Sequence, residues 1–292
     1  MEEAKAVPLR LETQRLLLRA PEKGDAPPMR ELWQQEFVRR YNCFGKLPSV
    51  EEAEEILARD PGSQLILVRK ADGAALGHIG MEKDALRYGV LSFSLDYYLG
   101  EESSRKGYMS EALERVLKYL FHQRGAEAVS ARAFTENAAS AGLLEKLGFT
   151  REGTLRRAVR NFEGQAFDDA VFSLLREEYL AAHPPVLGDV LSIKMDRPIG
   201  TVHPKHPDLI YPINYGYVPG LMAPDGEEQD AYVLGVSEPL EEFTGKLIAV
   251  IHRFDDVEEK WVLAPEGMDF TKEQIGEMTH FQEQYYHTEI RM

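Results

Sequence analysis

The hydrophobic and polar positions of the first 175 residues switch between two periods. Residues 11–19, Leu-Glu-Thr-Gln-Arg-Leu-Leu-Leu-Arg, alternate well enough to predict an early or edge strand, and stretches 24–33 and 50–58 carry apolar residues at helical spacing. Ser49 before Val50-Glu51-Glu52 supplies an N-cap and the acidic first turn that a helix dipole favours. Residues 64–69 form a β-branched apolar run, Asp72-Gly73 a hairpin turn, and 75–81 the returning strand. Residues 90–99 make the next strand, and its end, Asp96-Tyr97-Tyr98-Leu99-Gly100, delivers the chain to a polar loop. A helix follows whose apolar face is Leu113, Val116, Leu117 and Leu120. A strand over 126–134, a helix opened by Asn137 and ended by Leu147-Gly148-Phe149, and a hairpin of 155–162 and 167–174 turned at Glu163-Gly164 complete the half. This order predicts a mixed α/β fold, mostly antiparallel, with helices on the sheet.

The pattern breaks between Tyr179 and Asp189, where Leu-Ala-Ala-His-Pro-Pro-Val-Leu-Gly is short and proline-bearing and reads as a linker. A length of 292 residues already favours two domains, and the break sets them at 1–183 and 184–292. Charge agrees: of the net −15, residues 184–292 contribute about −12, from roughly 20 acidic against 8 basic side chains. That balance speaks against nucleic acid as a partner, which needs clustered Lys and Arg. With 43% hydrophobic and 28% charged residues the chain is an ordinary globular one. It has no apolar stretch long enough to span a bilayer and no hydrophobic leader after Met-Glu-Glu-Ala-Lys, so a cytoplasmic, membrane-free protein is expected. The single cysteine, Cys43, is expected to be a packing residue.

The first candidate chemistry lies at 103–113, Ser-Ser-Arg-Lys-Gly-Tyr-Met-Ser-Glu-Ala-Leu, a loop that runs straight into a helix. The first amides of a helix lack partners and carry the positive end of its dipole, so such a junction holds anions, and Gly107 lets one come close. With Asn137, Ser140 one turn later, the Leu147-Gly148-Phe149 step and the opening strand, the loop resembles the Gcn5-related N-acetyltransferase family, within it the group acting on ribosomal-protein N-termini. The likeness covers roughly residues 8 to 180. It implies acetyl-CoA as cosubstrate, its pyrophosphate on Arg105, Lys106, Gly107, Tyr108, Met109 and Ser110, and its pantetheine along Tyr98, Leu99 and Asn137. An amine, either a protein N-terminus or a small molecule, would be the acceptor. Met109 stands where glycine or alanine is usual, with a side chain able to turn toward the sheet. Leu144 stands where many members place a tyrosine that protonates the leaving thiolate, and Ser140 is the expected substitute. Val159 replaces the glutamate that follows the stretch 152–158 in ribosomal-protein enzymes. The general base stays open among Asp96, Glu82 and a water chain.

The second half carries Tyr211-Pro-Ile-Asn-Tyr-Gly-Tyr-Val-Pro219, then Asp225-Gly-Glu-Glu-Gln-Asp230 before an apolar strand over 231–236, then Asp255, Asp256 and Glu258 just before Lys260. Three carboxylates around a glycine suit a hard cation. The set resembles soluble family I inorganic pyrophosphatase. The likeness implies a small closed β-barrel and Mg²⁺ on Asp225, Glu227, Asp230, Asp255, Asp256 and Glu258, with pyrophosphate gripped by Arg197, Tyr211, Tyr215 and Lys260. Asp196 with Lys205 is an alternative alignment to Arg197. Tyr285 falls where a phosphate-contacting tyrosine stands, but Tyr286 replaces the lysine after it. His203, His206 and His252 are further ligand candidates. Metal is expected to stabilise this half by relieving carboxylate repulsion. Because the domain is short and its glutamates are a methylene longer than aspartate, a second reading is a non-catalytic anion-binding, metal-binding or oligomerising module, which allows a homo-oligomer.

Overall fold

A computed structural model describes residues 9–42, 45–203 and 206–292, so Cys43 and Lys205 lie outside the described residues. The chain divides into two compact units. One holds the described residues through Lys118 together with Glu127–Leu175, the other Tyr119–Ala126 with Arg176–Met292. Among the described residues no helix is long and apolar enough to cross a membrane.

The first unit opens with β1 (Arg10–Glu12) and β2 (Leu16–Arg19), where alternation predicts one strand. They form a hairpin instead, with Arg10 opposite Arg19 and Leu11 opposite Leu18. Thr13 turns the chain: its hydroxyl accepts from the Leu16 N–H at 2.9 Å, a local bond that competes with strand pairing. The helices α1 (Ala26–Gln34), α2 (Glu36–Arg39) and α3 (Val50–Ala58) follow. Ser49 and Glu52 cap α3 reciprocally, at 2.7 and 3.2 Å. Next come β3 (Gln64–Arg69), β4 (Ala75–Lys83), β5 (Ser92–Leu99), α4 (Tyr108–Lys118), β6 (Ala128–Phe134), α5 (Ala138–Lys146), β7 (Thr150–Arg160) and β8 (Ala166–Leu175).

These strands form one sheet in the order β1-β2-β3-β4-β5-β6-β8-β7. The pair β5–β6 is parallel, while every other neighbouring pair is antiparallel. Met29, Trp33, Ala53 and Leu57 of the first helices pack with Ile66, Val68 and Tyr98 of the sheet. Helix α4 buries Met109, Ala112, Leu113, Val116 and Leu117, the face its sequence spacing predicts. One detail of register positions the site. The β5–β6 ladder runs from Ser92 opposite Ala128 to Leu95 opposite Ala131, while β5 stays on β4 through Leu99 opposite Gly77. Over Asp96 to Leu99 the two parallel strands therefore part.

In the second unit the stretch read as linker begins as a helix, α6 (Arg176–Ala182). Only Arg176 and the adjacent Tyr179 and Leu180 are buried in it, which is why no helical periodicity shows. Tyr179 stacks on Phe121 at 4.7 Å. Then come β9 (Val190–Arg197), β10 (Val202–His203), β11 (His206–Ile210), β12 (Asn214–Met222), β13 (Glu228–Val233), β14 (Glu242–Arg253), β15 (Glu259–Ala264), α7 (Lys272–Glu283) and β16 (Thr288–Arg291). The order β15-β13-β12-β9-β14 closes on itself through a β14–β15 pairing, giving a five-stranded barrel with β16 added on β14. Strands β10 and β11 pair apart from it. Where β12 crosses β9, a Cβ at Gly216 would stand 1.9 Å from the Lys194 carbonyl oxygen, so the Tyr-Gly-Tyr step is a packing requirement. Tyr211, Tyr215 and Tyr232 lie fully buried in the core with Ile251 and Val262.

Candidate functional site

The parting of β5 from β6 opens a cleft of about 590 Å³ in the first unit. Tyr98, Leu99, Arg105, Gly107, Tyr108, Met109, Ser110, Asn137 and Ser140, all singled out from sequence, line it. Lys106 does not; its carbonyl accepts from the Arg15 guanidinium at 3.0 Å. Arg15 also lies 4.4 Å over the Tyr108 ring and donates to Glu111 at 2.6 Å, while Glu111 accepts from the Arg15 N–H at 2.8 Å. The turn between β1 and β2 thus fixes the loop to the first turn of α4. Glycine is required here by backbone conformation: Gly107 has φ +79, and Arg105, also left-handed at φ +58, shares the bend. Met109 is 7% exposed, its side chain folded into the protein, and the first α4 amides, unpartnered within the helix, remain at the mouth of the cleft. A loop that presents amides, an arginine and no carboxylate of its own fits a phosphate group.

Across the cleft Asn137 caps α5, its side chain accepting from the Ser140 N–H at 3.2 Å. This holds the Ser140 hydroxyl 2.8 Å from the Tyr97 hydroxyl of β5. Burial pushes Tyr97 up to about 12, so at neutral pH it keeps its proton. Sequence reasoning missed Tyr97. Only the pairing of a strand residue with a helix residue 43 positions later reveals it, and no local pattern encodes that distance. The other face of β5 carries Tyr98, whose hydroxyl accepts from Trp33 Nε1 at 2.5 Å, and His78 of β4, stacked on Tyr98 at 5.5 Å. Among the described residues the buried Nδ1 of His78 has no hydrogen-bond partner. It stands 3.7 Å from an Asp96 oxygen. Of the open base candidates, Glu82 is exposed. Asp96 has its pKa raised by partial desolvation, a modest effect because 65% of its side chain still meets water.

The second unit treats its candidates differently. Arg197 donates to the Tyr211 hydroxyl at 2.9 Å and lies 5.2 Å over the Tyr215 ring. Lys260 forms ion pairs with Asp230 and Glu258, and Asp225 faces Glu258 side chain to side chain. The structure does not bring the other expected ligands to this point. Asp255 accepts from the His287 N–H at 3.0 Å, Asp256 pairs with Arg253 at 3.1 Å, and Glu227 is exposed. Among the described residues no group of three or more His, Cys, Asp and Glu side chains can hold a metal ion. His252 pairs with Glu259 at 2.9 Å, and Tyr285 is 71% exposed. The physical reason for these differences is competition: Asp230 and Glu258 are taken by Lys260, Asp255 by the His287 N–H and Asp256 by Arg253, while Glu227 stays in solvent. Sequence reasoning also missed the strongest such pair, Arg253 with Glu283 at 2.6 and 2.9 Å, which the Tyr232 hydroxyl joins at 2.6 Å and the Tyr286 ring covers at 3.7 Å.

Comparison with known proteins agrees with the first unit. Residues 15–150 match the model of the acetyltransferase (GNAT) domain. The uncharacterized N-acetyltransferase YoaA of Bacillus subtilis is 29% identical over 173 residues, which cover 57% of this chain and 96% of that protein. Two solved structures share the fold. One is a ribosomal-protein-S5-alanine acetyltransferase from Vibrio fischeri, with TM-score 0.53, 17% identity, and 59% of this chain and 98% of that chain covered. The other is Mycobacterium smegmatis RimJ in complex with CoA-disulfide, with TM-score 0.51, 20% identity, and coverage of 60% and 92%. Residues 15–150 are therefore a GNAT acetyltransferase domain. None of these matches supports a pyrophosphatase relationship for the second unit.

Proposed function

We propose that this GNAT domain transfers the acetyl group of acetyl-CoA to an amine, a protein N-terminus or a small molecule. The reading is carried by the cleft where β5 parts from β6 between the α4 loop and the Tyr97–Ser140 hydroxyl pair. Arg105 and the amides of 107–110 hold the cosubstrate's pyrophosphate, and the stretch of β5 at Tyr98 and Leu99, beyond the end of its ladder with β6, takes the pantetheine arm. Acetyl-CoA supplies the activated thioester. The chain's own residues orient it, and the Ser140 hydroxyl gives a proton to the departing sulfur while Tyr97 donates a hydrogen bond to the serine oxygen. The acceptor of the amine's proton stays open between Asp96, which lies where β5 parts from β6, and a water chain.

Calorimetry with CoA, and acetyl transfer from labelled acetyl-CoA to a panel of N-terminal peptides and small amines, test this. Saturable CoA binding with transfer to at least one acceptor class is expected; no CoA binding would overturn the reading.

A further inference from the structure

A Mg²⁺ site needs several ionised oxygens converging on one point with room for the ion and its waters. In the barrel that point is taken. Lys260 of β15 sits beside Asp230 of β13, because the two strands pair in parallel with Ala231 opposite Trp261. Its ammonium contacts both the Asp230 and the Glu258 carboxylates, and it lies 5.9 Å over the Tyr215 ring. Lys260 is only 2% exposed, and the two carboxylates that a divalent ion would need are the ones its ammonium occupies. Asp225 joins the same cluster through Glu258, and the other expected acids supply no second point of convergence, since Asp255 is bound by the His287 N–H, Asp256 by Arg253, and Glu227 is exposed.

We propose that the Lys260 ammonium is the resident cation of this carboxylate cluster. The second unit then folds without a divalent metal, and Asp230 and Glu258 become a divalent-cation site only when that ammonium is removed. This reverses the expectation that metal stabilises the wild-type barrel.

The test is a pair of thermal titrations of the full chain with MnCl2 or MgCl2, each against NaCl at equal ionic strength. The wild-type transition of this unit should respond to the divalent salts no more than to the control. Lys260→Met should melt lower in NaCl and recover part of the loss, saturably, as Mn²⁺ is added, since a ligand of the folded state alone stabilises by mass action. Equilibrium dialysis with Mn²⁺ gives a second readout, in which the variant should retain one more ion per chain than wild type. A saturable, divalent-specific rise in the wild-type melting temperature would overturn the proposal. So would a folded Lys260→Met protein that gains no Mn²⁺. If that variant does not fold, the wild-type titration and dialysis decide by themselves.

Discussion

The cleft of the first unit and the barrel cluster of the second contain much the same chemistry: tyrosines, arginine, a carboxylate and a glycine turn. They differ in what is left over. At the cleft the first α4 amides, the Ser140 hydroxyl and the Arg105 guanidinium lie open on a 590 Å³ space, while the groups that fix them, Arg15, Glu111 and Asn137, are satisfied from behind. In the barrel the corresponding groups spend their valence on one another. Arg197 goes to Tyr211, Lys260 to Asp230 and Glu258, and Arg253 to Glu283 and Asp256. A polar motif marks a binding site only where partners remain unfilled; filled, the same residues hold a core together.

The sharpest way to break this contrast is to open the barrel's most deeply buried pair. Arg253 is 2% and Glu283 is 7% exposed, and they join the end of β14 to the end of α7. Glu283→Ala removes two of the Arg253 guanidinium's bonds and one of the Tyr232 hydroxyl's, leaving them Asp256 and Gln282, and breaking such a buried pair costs about 3–5 kcal/mol. Urea denaturation of the full chain should show the second unit's transition displaced by that much while CoA binding persists. A loss below about 1 kcal/mol would mean that water reaches the pair and that the barrel is not sealed as described.

The buried imidazole of His78, stacked on Tyr98, gives a slightly smaller effect, readable by pH. Burial pushes the His78 imidazole down to about 4 from 6.5. Above 6.5 both folded and unfolded chains carry it neutral. Below that the unfolded chain binds a proton that the folded one refuses, so stability falls as pH drops from about 6.5 toward 4, by about 3 kcal/mol in all. His78→Gln should flatten that part of the pH dependence of the melting temperature; an unchanged slope would assign the loss to other groups.

How much of this was legible in the sequence follows from how local each determinant is. The α3 start, the β3–β4 hairpin and the α4 face were readable because capping, turn chemistry and periodicity act within a few residues. The cleft was readable because a loop, a helix start and an N-cap, each local, face one another by the topology of the fold. What failed was pairing at a distance. Nothing near Lys260 says that Asp230 lies beside it rather than free for a metal, and nothing near Arg253 points to Glu283, 30 positions on. The turn at Thr13 failed for the opposite reason, a hydroxyl whose one local bond outweighs a good alternating pattern.

For the loop itself, Gly107→Val imposes a branched side chain on a backbone at φ +79 and sets it where phosphate oxygens approach. The protein would meet the new Cβ only at Arg15, 3.4 Å away, so the fold has space for it. CoA affinity should fall by about tenfold or more, roughly 1.4 kcal/mol or above, and the strain of a branched residue at φ +79 should also lower the melting temperature. Equal affinity by calorimetry would remove the loop from the site.

The smallest effect concerns Ser140. A thiol has an ordinary pKa near 8.5, so a thiolate is already a fair leaving group near neutral pH, and an acid that protonates it adds less than the usual 10²–10⁴ of general catalysis. Ser140→Ala should therefore lower the rate of acetyl transfer by about tenfold or less, and leave CoA affinity within about a factor of two because the Asn137 cap bonds the backbone N–H rather than the lost hydroxyl. Two further readings separate a proton donor from a mere helix-surface hydroxyl. The deficit should shrink as pH rises past about 8.5, where the product thiolate no longer needs the proton. Tyr97→Phe should reproduce part of the deficit, and the double variant should fall short of the product of the two single effects, since both act through one hydroxyl pair 2.8 Å apart. A Ser140→Ala deficit that is constant with pH and multiplies independently with that of Tyr97→Phe would return the serine to a structural role and leave the thiolate to leave unaided.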